Sequence, residues 1–175
     1  MSTIKREQRI EYINGFLEAT SRVKDILTPN LGGFNQFISI DKNNNLDVLS
    51  NLKNYIISNK PYYDKYFIEV ERFEKMLNDI QLSPIANWIT TLPKLISVWT
   101  CDAVLTSIHG RNGYPLSEYL VNFLLKDFFN QFESEVILYK LLPEYGIWHW
   151  GDLMGEEYVF ETSARMYILH FGEST

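Results

Sequence analysis

Three observations place this sequence in the α+β class, as one mostly helical domain over residues 1–175. Apolar residues recur at three and four positions through most of the chain up to Pro143, the period of one helical face. One stretch, Pro84 to Ile108, is apolar on nearly every side, as a central helix is. After Pro143 the pattern turns to alternation, the period of a strand. The expected architecture is about six helices built round 84–108, with a small, mainly antiparallel sheet from the C-terminal part packed on them.

Ile10, Ile13, Phe16, Leu17, Val23, Ile26 and Leu27 predict a first helix between Ile4 and Leu27, which Thr28-Pro29 and the paired Gly32-Gly33 end. Phe34 to Ile40 reads as a short strand. Asp41-Lys42-Asn43-Asn44-Asn45 imitates the opening of a calcium loop, but Leu46 stands where that loop needs glycine and Leu52 where it needs the bidentate glutamate. A turn leading into a helix capped near Asn45 or Asp47 is the preferred reading. Helices are expected over Leu46 to Ser58 and Tyr62 to Ile80, broken at Asn59-Lys60-Pro61. Ser83-Pro84 reads as a helix start, serine as cap and proline at the first helical position, with Pro93 dividing or kinking that helix. Trp88, Leu95, Trp99 and Leu105 are expected inside, and Asp102, the only acid in that stretch, needs a partner.

His109 to Pro115 is a loop with two glycines and a proline in seven residues. A helix or helix pair is expected from Ser117 to Leu142, stopped by Pro143. Ile147 to Trp150, Glu157 to Thr162 and Arg165 to Phe171 predict three short strands. The last of these, apolar on both faces, belongs inside the sheet, beside the early strand at Phe37.

Charge is unevenly placed. Residues 144–175 hold six of the 22 acids and one of the 16 bases, so most of the net charge of −6 lies there, with two of the four tryptophans. An acidic chain without clustered Lys and Arg does not suit nonspecific nucleic-acid binding. No apolar run approaches a membrane span, the N-terminus has no secretion signal, and the single cysteine suits a reducing cytoplasm, so a cytoplasmic location is expected. No cofactor or metal signature is present.

Catalysis finds few candidates. Cys101 and His109 are eight residues apart, two helical turns, too far for a base to reach the thiol unless the loop folds back. The loop trio His109, Arg111 and Asn112 could serve a reaction, but the preferred reading is a helix end that Gly110 caps, with His109 and Arg111 at the negative end of its dipole. His149 with His170 and an acid would make a metal site only with a spacing that matches no known ligand pattern. Adjacent Glu156 and Glu157 on a strand point apart, which does not suit a carboxylate pair.

The balance favours binding over catalysis. The expected function is a protein-binding module of the inhibitor or immunity kind, holding a basic partner such as a toxin through Trp148, Trp150, Asp152, Glu156, Glu157 and Glu161. Two alternatives stand beside it: a hydrolase or transferase using the 109–115 loop with His149 and nearby acids, and an obligate homo-oligomer joined through the aromatic surface.

Overall fold

The computed structural model describes residues 2–27, 32–59, 70–102, 114–143 and 152–174. Its centre is a sheet, which corrects the expected fold. Among the described residues, five antiparallel strands lie in the order β1-β5-β4-β3-β2. They are β1 Gly32–Asp41, β2 Gln81–Ile85, β3 Ile137–Leu142, β4 Asp152–Glu161 and β5 Arg165–Ser174. Five helices among the described residues cover its two faces: α1 Ser2–Leu27, α2 Val48–Ser58, α3 Val70–Asp79, α4 Trp88–Ile96 and α5. The last is continuous, with α-helical ends Leu116–Tyr119 and Lys126–Phe132 and a π-helical centre Leu120–Leu125.

The strands alternate as their period requires, and the two faces carry different cores. Phe37, Leu138, Tyr158, Phe160, Tyr167, Leu169 and Phe171 point to the side of α1, α4 and α5. Ile40, Leu141, Val159, Met166 and Ile168 point to the side of α2 and α3. Strand β5, paired with β1 at Phe37↔Leu169 and with β4 at Tyr158↔Leu169, is buried on both sides, as its unbroken apolar run predicts. At its start Thr162 and Arg165 close the hairpin with β4 through their backbones, at 3.0 Å.

Three expectations fail for identifiable reasons. Ser83-Pro84 lies within β2 and does not cap a helix. As an edge strand β2 leaves one side of its backbone outside the ladder, and that is where a proline fits a sheet. The helix instead begins at Trp88, behind Asn87 in the left-handed conformation (φ 49°). It holds Pro93 in its interior and ends at Ile96, so the described part of the apolar stretch is a short helix on one face, not an axis for the domain. Trp99 is buried, whereas Trp88 and Leu95 are only partly so, and Leu105 lies outside the described residues. Finally, the helix expected from Ser117 to Leu142 ends at Phe132, and Ile137–Leu142 forms β3.

The π-helical centre of α5 has a reading in the sequence. Leu120, Leu124 and Phe128, and beside them Val121, Leu125 and Phe129, repeat every four residues. An α-helix would rotate that stripe progressively off the sheet, and wider turns, such as the one closed by the Lys126 N–H to Val121 carbonyl bond, hold it in place. All six residues are buried. The Asn-rich segment is a turn: Asn51 receives the Asn43 N–H at 2.8 Å and donates to the Asn43 carbonyl at 3.0 Å, and Asp47 caps α2 by accepting the Ser50 N–H at 2.7 Å.

Candidate functional site

The acids expected on a C-terminal surface are engaged inside the fold wherever their side chains are described. Alternation along β4 sends Glu156 and Glu157 to opposite faces, as the strand period requires. Glu156 accepts from the Trp99 indole at 3.1 Å, from the Lys140 ammonium at 3.0 Å and from the Tyr158 hydroxyl at 2.6 Å. Glu157 is fully buried on the other face, its carboxylate 3.2 Å from Nδ1 of an equally buried His170. Glu161 binds Lys42 at 2.6 Å and accepts the Tyr139 hydroxyl at 3.1 Å, while Glu173 pairs with Lys24, whose ammonium also lies 4.3 Å from the Trp99 ring centre. The expectation that these acids face solvent is therefore corrected: burial removes Glu157 from any partner surface, and lysines from distant parts of the chain hold Glu156 and Glu161. Asp152 opens β4, where it pairs with Ser174 of β5 ahead of a register shift at Met154. Trp148, Trp150, His149, His109 and Arg111 lie outside the described residues.

The catalytic candidates that are described show no assembled reaction centre. Cys101, at the left-handed φ of 57°, is buried, and burial pushes its thiol up, the reverse of what an activated nucleophile needs. Asp102 has the partners its burial demands: it accepts from Thr100 Oγ1 and the Ser117 N–H, at 3.0 and 3.1 Å, and from the Ser117 hydroxyl. Its place is thus at the first turn of α5, satisfying a backbone donor there. Among the described residues no three His, Cys, Asp or Glu side chains gather as metal ligands, and no helix is long and apolar enough to cross a membrane.

A different surface stands out on the outer side of α1 and α5. Tyr12, Phe123 and Tyr114 are 56, 54 and 53% exposed. Phe123 and Tyr114 belong to one cluster of rings, with Tyr12 beside it: Phe16 and Tyr119 lie 5.4 Å apart, Tyr119 stacks on Phe123 at 5.5 Å, and Tyr114 meets Phe123 edge-on at 5.7 Å. The neighbouring Tyr12 hydroxyl raises the phenol pKa of Tyr119, and the Arg9 guanidinium sits 5.9 Å from the Tyr12 ring while pairing with Asp127. The sequence carried a signal for this cluster. Phe123 stands almost opposite the four-residue stripe of α5, and Tyr12 stands off the stripe of α1, so helical phase alone sends both outward.

Compared with protein-family models, with curated proteins and with solved structures, the chain matches none.

Proposed function

We propose that this chain is a protein-binding module of the inhibitor or immunity kind, acting in the cytoplasm on a basic macromolecular partner such as a toxin. The observation that carries this reading is the surface aromatic cluster in which exposed Tyr12, Tyr114 and Phe123 gather round a half-buried Tyr119. Large rings held in contact at a surface offer rigid, amphipathic anchors at low entropic cost, the residue types that dominate binding hot spots. The net charge of −6 steers a basic partner towards the molecule. A free, buried Cys101 suits a reducing compartment.

The test is affinity capture from the native host with wild-type protein and with the Tyr12→Ser/Phe123→Ser double variant, with the fold of each checked by circular dichroism. The expected result is one basic protein recovered in stoichiometric amount by the wild type and lost with the variant. Equal recovery by both would overturn the reading. A change confined to self-association in sedimentation would replace it with the homo-oligomer.

A further inference from the structure

The opposite flank of α1 holds a second surface. Helix α1 runs antiparallel to β1 and lies along it, so that Asp25 accepts the Gly33 N–H at 2.7 Å and Asn14 reaches Phe37. Among the described residues strand β1 is an edge: β5 pairs with one side of it, and its other side faces away from the ladder. The side-chain amide of Asn14 makes two bonds there, donating to the Phe37 carbonyl at 3.0 Å and accepting the Phe37 N–H at 2.7 Å. These are the two bonds a peptide unit of a sixth strand would make. Alternation puts the backbones of Asn35 and Ser39 on the same outward side as Gly33 and Phe37. Among the described residues no bond engages those outward groups of Asn35 or Ser39.

Cavities lie on both sides of the Asn14 clasp, about 460 Å³ beside Ser39 and about 230 Å³ beside Asn35. Ile10, Phe37 and Ile38 give the larger one apolar walls, and Glu7 and Glu11 line its helical side. Its two arginines are already engaged, Arg6 with Glu133 at 3.4 Å and Arg165 with Asp41 at 2.7 Å. Glu7 and Glu11 are exposed and have no ion-pair partner among the described residues. The groove thus joins a strand edge whose Asn35 and Ser39 groups are unengaged among the described residues, some apolar lining, and two carboxylates with no ion-pair partner among those residues.

We infer that the groove between α1 and β1 takes an extended, lysine- or arginine-bearing segment of a partner protein, which adds to β1 as a sixth strand and displaces the Asn14 amide from Phe37. Main-chain bonds to Asn35, Phe37 and Ser39 supply the pairing, and Glu7 and Glu11 select basic side chains on the strand face turned to the helix. Asn14 then acts as an internal stand-in that keeps the edge closed to indiscriminate pairing. The basic character of the partner rests on the proposed function, whereas the groove is a surface separate from the aromatic cluster.

The probe is a labelled ten-residue peptide alternating lysine and valine, with a glutamate-valine peptide as control, titrated by fluorescence anisotropy and by amide NMR. The lysine peptide should bind and shift the amides of Asn35, Phe37 and Ser39. Glu7→Gln/Glu11→Gln should weaken it roughly fivefold to tenfold at low salt, with less effect at high salt, as partly screened pairs behave. Asn14→Ala should tighten binding by removing the competitor, and Ser39→Pro, which deletes an outward N–H on an edge that tolerates proline, should weaken it. Tyr12→Ser/Phe123→Ser should leave peptide affinity unchanged. Equal binding of the two peptides, shifts away from β1, or weaker binding by a folded Asn14→Ala protein would each overturn the inference. Concentration-dependent shifts at β1 without peptide would overturn it in favour of edge-to-edge pairing of two copies. Loss of peptide binding together with retained, aromatic-dependent capture of a partner would sink this inference and leave the proposed function standing.

Discussion

The indole N–H of Trp99 donates to Glu156 at 3.1 Å, and through this bond the turn after α4 is tied to the centre of β4. The same carboxylate holds Lys140 from β3 and the hydroxyl of Tyr158. An acid that local charge counting assigns to a solvent surface is instead a junction between the helical layer and two strands.

Replacing that acid by its amide tests the junction. Glu156→Gln keeps the shape but loses the ionic half of the Lys140 contact and turns one acceptor oxygen into a donor among donors. The expected cost is about 1–3 kcal/mol, the range for hydrogen bonds to charged groups that are partly buried. Urea unfolding of the variant measures it. A midpoint equal to wild type would mean that Glu156 is hydrated and that the contacts with Trp99 and Lys140 contribute nothing.

Trp99 itself joins three kinds of contact. It is buried, its ring stacks on Phe171 at 5.9 Å, and Lys24 sits over it while pairing with Glu173. Trp99→Ala should cost about 3–5 kcal/mol, the loss typical of a large aromatic removed from a core. Trp99→Phe restores the stacking without the N–H, so it should recover most, though not all, of that loss. Were Trp99→Phe to match wild type in denaturant, the bond to Glu156 would carry no net stability.

How far the sequence could be read depends on which interactions are local. The pairing of Phe34 to Ile40 with the last strand was legible, because a run apolar on both faces must lie inside a sheet and few other strands were on offer. So was the opposite orientation of Glu156 and Glu157, which needs only the strand period. Their environment was not. The excess of acids in residues 144–175 is answered by Lys24, Lys42 and Lys140, which the fold brings in from other elements. No local count of charge contains that. Ser83-Pro84 misled for a related reason: the dipeptide fits a helix start and an edge strand equally well, and only the place of β2 at the end of the sheet decides between them. The exposed rings of Tyr12 and Phe123 were written in the helical phase, but phase becomes informative only when the direction of the core is known.

Tyr167 gives the fold a dependence on alkaline pH. Its hydroxyl donates to Glu133, which Arg6 also holds, in the layer between β5 and the end of α5. Burial first, then the bond and the negative charge of Glu133, push the Tyr167 phenol well above the ordinary tyrosine range, against a smaller opposing pull from Arg6 and Arg165. The folded chain therefore holds this proton more tightly than the unfolded chain does. Its contribution is fully present below about pH 10, where an unfolded tyrosine ionises, and is lost progressively as the pH rises above that value. Burial raises Tyr139 and Tyr55 in the same direction, so the wild-type slope alone does not isolate Tyr167. The difference between wild type and Tyr167→Phe does. At pH 8 the wild type should be the more stable by about 1–2 kcal/mol, the value of a bond to a charged acceptor, and the gap should narrow between pH 10 and 11.5. Melting temperatures of the two proteins across that range decide the matter. A gap that stays constant from pH 8 to 11.5 would show that Tyr167 ionises alike in the folded and unfolded chains and that Glu133 does not hold its proton.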